Sequence, residues 1–357
     1  MKSVLLIDAH ALIHRAFHAL PPLLGPEGQP TGALYGLARI LMKVLKERRF
    51  TRIFAAFDRP EPTHRKDAFA EYKAQRPKAP DELVAQLIEA RELFHTFGIP
   101  TVEAPKVEAD DIIGTLAHRY AREKYRVTIL TGDLDALQLV RDPYVEVETF
   151  KKGVSDTFIY DEAAVRDRYG FGPEYVPDLK GIMGDASDNI KGVPGVGEGS
   201  ALKFVRAYGG VDDIYQALAP DGVEEVAKHA DVQTRFVKLI AAHENEARFS
   251  KRLATIDTAV PLEVPDEDFG GIRKQEIASY FSRMGFESLV KGEEVTPSEP
   301  KDAPRTTGKG FPPDTMFVKD AAEARARLAS FSKPGEKIAY GWKDILKTLG
   351  ADAPKVP

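Results

Sequence analysis

Nine carboxylates stand where their chemistry could add together. Asp8 closes the apolar run KSVLLIDA (2–9), Asp58 closes RIFAAFD (52–58), and Glu108, Asp110 and Asp111 follow IPTVEAP (99–105). Asp133 closes RVTILTGD (126–133), Asp135 comes two residues later, and GDASDN supplies Asp185 and Asp188. The plain reading of VEADDIIG is a helix start, where the macrodipole favours an acid by about 0.3–1 kcal/mol. The joint placement asks for more. Two like charges 4 Å apart repel by roughly 4 kcal/mol at an effective dielectric near 20, so a dense cluster needs compensating cations. Oxygen donors without a single cysteine favour hard divalent ions, magnesium or manganese. Two such ions ~4 Å apart could activate water and stabilise both reacting oxygens in phosphodiester cleavage.

A basic stretch follows Asp58. Within residues 64–78, Arg65, Lys66, Lys73, Arg76 and Lys78 outweigh Asp67 and Glu71 by +3, with Phe69 and Tyr72 interleaved. Lys73 and Arg76 are spaced to share a helix face. Cations beside an aromatic suit a threaded single strand, held by phosphate contact and base stacking. The plainer alternative is a solvated surface helix with its tyrosine packed beneath. Further on, GVPGVGEGSA has glycines for a tight turn between helices, with Ser200 opening the second. Amides at that helix start would seat a phosphate, and Gly192, Val193, Gly195, Val196, Gly197 and Ser200 are the expected contacts to duplex backbone.

These residues need elements to carry them. The four apolar runs read as strands buried on both faces of a mostly parallel sheet. Helical patterns such as ALYGLARILMKVLKE (33–47) and DELVAQLIEARELFHTFG (81–98) fill the gaps. Alternating strand and helix gives an α/β domain over residues 1–165, with a basic arch at about 60–98. Residues 166–292 read as a helical subdomain around a helix-hairpin-helix at about 185–208. Residues 293–313 read as a linker and 314–357 as a short tail. In open α/β sheets ligands bind beyond the carboxyl ends of the strands, which is where these acids fall.

The chain has 357 residues, 43% of them hydrophobic, and a net charge of −5. Setting the nine acids aside leaves the remainder slightly basic. No apolar run approaches the ~20 residues of a membrane span, no signal peptide opens the chain, and the lack of cysteine suits a reducing cytoplasm.

Taken in order, VLLIDAHALIHRAFHAL, FAAFDRP, EYKAQRP, VEADDIIGTLA, TGDLDALQLV and GDASDNIKGVPGVG closely resemble the bacterial 5′-nuclease family. That is the flap-endonuclease-like N-terminal part of DNA polymerase I, which also occurs as a free-standing exonuclease. The likeness covers about residues 1–292. It implies a PIN-like α/β core and a two-metal nuclease acting near 5′ single-strand/duplex junctions, on flaps, nicks and RNA primers. It implies that the nine acids ligate metal and that Asp8, Asp58, Lys73 and Arg76 are catalytic. Arg65, Tyr72, Lys73 and Arg76 are then DNA contacts of the arch, and the hairpin holds a potassium ion. A nucleoid-associated, cytoplasmic monomer follows, with a polymerase module in the same or another chain. Two departures stand out. The family often has an aromatic before the arch arginine, where His64 stands here, and a hairpin lysine where Gly199 stands. The competing readings are an RNA-processing nuclease with a related acidic core, and a non-catalytic DNA-junction binder attached to a polymerase.

Overall fold

The computed structural model describes residues 2–290. Strand β1 (Ser3–Asp8) leads directly into helix α1 (Ala9–Ala19), followed by α2 (Gly32–Glu47) and β2 (Arg52–Ala56). Next come α3 (His64–Ala68), α4 (Asp81–Thr96), β3 (Thr101–Val102), α5 (Ala109–Arg122) and β4 (Arg126–Leu130). The hairpin of β5 (Val145–Lys152) and β6 (Asp156–Tyr160) and helix α6 (Glu162–Tyr169) end the α/β part. Seven helices complete the described chain: α7 (Val176–Met183), α8 (Glu198–Tyr208), α9 (Val211–His229), α10 (Thr234–Ala242), α11 (Glu244–Ala254), α12 (Lys274–Met284) and α13 (Glu287–Val290). None of the described helices is long and apolar enough to cross a membrane.

The six strands lie in the order β3-β2-β1-β4-β5-β6, parallel except for β6. As the unbroken apolar run requires, β1 is buried on both faces. Leu5 and Ile7 enter one core layer with α1, α2, α4 and α12, while Val4 and Leu6 enter the other with α5. The chain leaves β1 towards β2 and β3, then returns to place β4 and β5 on the other side. Their diverging connections open a crevice beyond the carboxyl ends of β1 and β4.

Three expectations change. First, the second core layer runs without a break from Val4 and Leu6 through Phe171 and Leu179 to Phe204 and Ala247. The two parts expected to meet at 165/166 therefore share this core, and the described residues 2–290 fall within one compact unit. Second, the basic stretch is not a continuous helix: α3 is five residues long and turns follow it. Lys73, with φ +53°, lies in the left-handed region, so it and Arg76 share no helix face. Third, the sheet has an edge hairpin, β5–β6, beyond the four strands expected. The expected linker and tail, 293–313 and 314–357, lie outside the described residues.

Candidate active site

The strand ends bring a first group of acids together. Asp8 caps α1, its Oδ1 accepting from the Ala11 amide at 2.9 Å, and its Oδ2 accepts from Thr131 Oγ1 at 2.7 Å. The same hydroxyl oxygen accepts the Asp133 amide at 3.0 Å, so one threonine after β4 joins the ends of the two central strands. Asp58 reaches across to the start of α5, where its Oδ1 accepts from the Ala109 amide at 2.7 Å. Its own amide donates to His10 Nδ1 at 3.2 Å, which requires a neutral ring at that nitrogen. The Asp110 carboxylate, in the first turn of α5, receives no hydrogen bond from any described residue.

Mutual repulsion is written into their protonation. Burial, reinforced by the charges of Asp58 and Asp133, pushes Asp8 up to about 6 against its hydrogen bonds. Burial and the charges of Asp8 and Asp133 hold Asp110 well above the usual carboxylate range. Asp135 is pushed up to about 7 by burial and by Asp133, although Lys180 opposes the shift.

A second group is held by the protein's own cations. Lys180 Nζ, on α7, bonds to both Asp135 and Asp185. Burial alone would raise Asp185, but Lys180 and Ser187 draw it below its ordinary value. Lys73 Nζ donates to Glu108 Oε2 at 2.9 Å, and Arg76 donates to Asp188 Oδ1 at 2.6 Å. Tyr72 Oη lies 3.1 Å from both Glu108 Oε2 and Asp188 Oδ2. Against burial, Lys73 and Arg65 keep Glu108 below its usual range. Lys73 itself occupies a backbone conformation that costs a residue with a Cβ about 1–2 kcal/mol.

Three expected roles are corrected by burial. Asp111 is fully buried, and both its oxygens are occupied: Arg65 binds them at 2.6 and 2.7 Å, and the Asp257 amide adds 2.8 Å. It has no free face for a metal. Arg65, expected as a DNA contact, is 5% exposed, and its remaining donors meet the carbonyls of Leu253 and Thr255. Tyr72 is likewise buried, packed with Ile190 and Leu253, so its ring is not offered to a base. The hairpin is corrected in part. Gly192 (φ +61°) and Gly195 (φ +82°) make the turn, and a Cβ on Gly192 would lie 2.2 Å from the Gly184 nitrogen. The amides of Gly192, Val193, Val196 and Ser200 are bonded within the protein. Among the described residues, only the amides of Gly195 and Gly197 remain without acceptors from the expected hairpin set.

Sequence reading missed Thr131, His10 and Lys180. Thr131 stands beside GD in RVTILTGD, and Lys180 interrupts the otherwise apolar LKGIM, so each left a faint signal. A cavity of about 510 Å³ opens beside the first acids, lined by Ala11, His14, Arg15, His18, Gly132 and Asp133.

The donor set fits hard divalent cations: oxygen only and crowded, with Asp8, Asp110 and Asp135 raised in pKa and the Asp110 carboxylate lacking any donor. As the side chains stand, no three acidic or imidazole groups among the described residues converge on one ion. In the second group, Lys73, Arg76 and Lys180 engage the carboxylate oxygens that an ion would need.

Comparison with known proteins agrees with this arrangement. Residues 3–170 match the 5′-3′ exonuclease N-terminal resolvase-like domain, and residues 171–276 match the 5′-3′ exonuclease C-terminal SAM fold. DNA polymerase I of Bacillus caldotenax is 39% identical over 84% of this chain, which spans only 33% of that polymerase. The 5′-3′ exonuclease of Buchnera aphidicola is 35% identical over 73% of this chain and 84% of its own length. Among solved structures, T5 5′-exonuclease, described with bound divalent metal ions (zinc), superposes with a TM-score of 0.58 at 22% identity. The match covers 72% of this chain and 90% of that one. A T5 flap endonuclease described in complex with DNA and metal ions gives 0.55 at 22% identity, over 72% and 89%. Such identities speak for the fold, while the matched domains and the free-standing relative reach further: this chain belongs to the 5′-3′ exonuclease family.

Proposed function

We propose that the chain is a structure-specific 5′-3′ exonuclease and flap endonuclease, hydrolysing phosphodiester bonds near 5′ single-strand/duplex junctions with two divalent cations, magnesium or manganese. The observation that carries this is the clustering of Asp8, Asp58, Asp110 and Asp133 at the crevice beyond β1 and β4, close enough that the charges of the others help raise Asp8 and Asp110. Asp8, Asp58, Glu108, Asp110, Asp133, Asp135, Asp185 and Asp188 would hold the cations; Asp111 would not. Such cations supply Lewis-acid stabilisation of the reacting phosphodiester and lower the pKa of the attacking water.

The chain's own residues do the rest. Thr131 fixes the orientation of Asp8, and His10 with the Ala109 amide fixes Asp58. Lys73 and Arg76 are arch cations that pair with Glu108 and Asp188 while staying partly exposed, suited to guide a phosphate towards the acids. The free amides of Gly195 and Gly197 seat duplex backbone without reading sequence, and a potassium ion at that turn belongs to the same proposal. Substrates would be 5′-flapped or nicked DNA and RNA primers on DNA, with a polymerase module in the same or another chain.

Cleavage of a 5′-flap duplex in magnesium tests this. Asp133→Ala should lower the single-turnover rate about a thousandfold or more, some 4 kcal/mol of barrier, with flap binding in calcium retained. Undiminished cleavage by the variant, or cleavage in excess chelator, would count against the two-cation site.

A further inference from the structure

We propose that residues 69–78 are a strap, held shut over the acidic crevice by the protein's own cations, and that uptake of divalent cation opens it. This rests on the two-cation reading above and adds to it an order of events: cation first, then nucleic acid.

The strap has no regular structure of its own, and most of what holds it is polar. Its backbone and the Arg76 side chain are docked on residues 185–191. The Lys73 amide donates to the Asp188 carbonyl at 2.9 Å, Asn189 Nδ2 to the Glu71 carbonyl at 2.7 Å, and Arg76 Nε to the Ser187 carbonyl at 3.2 Å. Its side chains then enter the site: Lys73 on Glu108, Arg76 on Asp188, and Tyr72 Oη between the two carboxylates. One hydroxyl proton serves only one of those oxygens at a time, so the clasp depends on the neighbouring cations. The left-handed backbone at Lys73 is tolerable only while these contacts over-determine it. Apolar anchorage is confined to one end, where Phe69 meets Phe249 edge-on and Tyr72 packs on Ile190.

A divalent ion taken up by Glu108 and Asp188 competes for the oxygens that Lys73 and Arg76 now occupy. Once displaced, those two side chains remain tethered beside the crevice with no carboxylate to satisfy them, and a phosphate is the natural replacement. Linkage makes the effect reciprocal: whatever holds the strap open must tighten cation binding by the same factor.

Hydrogen exchange read by mass spectrometry on the full chain, without nucleic acid, tests the strap directly. Cation uptake is followed separately by calorimetry. A bound ligand ordinarily slows exchange throughout a fold. Here saturating magnesium should slow amides at 8–11 and 109–115 but speed those in 69–78 by about tenfold or more. Arg76→Gln, which leaves every acid in place, should speed strap exchange without magnesium and shrink the response to it. Asp188→Asn should do the same if its melting curve shows it folded. Strap exchange that slows or stays constant while calorimetry records uptake overturns the proposal, as does slow metal-free exchange in Arg76→Gln. No uptake at all would sink the two-cation reading and remove the trigger with it.

Discussion

Depth decides what a charged residue does here, and depth is what a charge count cannot see. Arg65 and Asp111 were read as a DNA contact and a metal ligand because one lies in a basic run and the other in an acidic one. The fold buries both and pairs them, tying α3 to α5 and to the end of α11. Removing one member of a buried pair strands the other's charge, at a cost of about 3–5 kcal/mol. Arg65→Met should therefore lower the chemical-denaturation stability by about that amount. The fraction that folds should bind flap DNA as wild type does. Unchanged stability with lost affinity would restore the reading of Arg65 as a DNA contact.

Among the elements, legibility followed hydropathy. β1, β2 and β4 were readable because they are buried on both faces, and α2 and α4 because their apolar residues recur at helical spacing. VEVETFKK, which forms β5, escaped notice because Glu146 and Glu148 alternate with its valines. Both glutamates are buried against Arg48, an ion pair that sequence cannot announce. The acids were legible as a set because strand ends share one edge; how Lys73, Arg76 and Lys180 engage them was not, since the contacts to Glu108, Asp188 and Asp135 join residues far apart in sequence. The hairpin gave its turn but not the direction of its amides. It does, however, leave room for change. Nothing lies within 4 Å of a Cβ built on Gly199, in the first turn of α8, whereas Gly192 would collide with the backbone at Gly184. Gly199→Lys should gain roughly 0.5–1 kcal/mol of helix stability. It should also tighten duplex binding and steepen the salt dependence by about 0.9 in log–log slope, as one added phosphate contact requires. An unaltered slope would place the duplex elsewhere.

For the molecule as a whole, the acids are a liability that depends on pH. Asp8, pushed to about 6, and Asp135, pushed to about 7, bind protons more tightly in the folded chain than in the unfolded one, where 3.8 is usual. Between about pH 4 and 7 the folded state therefore holds the extra protons. The stability these two groups contribute falls as pH rises through that window. Divalent cation should restore it only where the acids are ionised. Thermal melts should show a larger gain from magnesium at pH 7.5 than at pH 5; a cation at a hundred times its dissociation constant adds about 2.7 kcal/mol. Equal gains at both values would mean that the cation binds elsewhere.

The same interlocking sets a timetable. The acids enter the chain at positions scattered from 8 to 188, and Arg65 is anchored by Leu253 and Thr255, while Asp111 is anchored by the amide of Asp257. A polypeptide emerging from the ribosome thus carries every one of the nine acids before it carries the groups that hold the Arg65–Asp111 pair in place. The order of synthesis therefore puts the anchors last, and α3 and α5 gain their full set of ties only when residues 253–257 arrive.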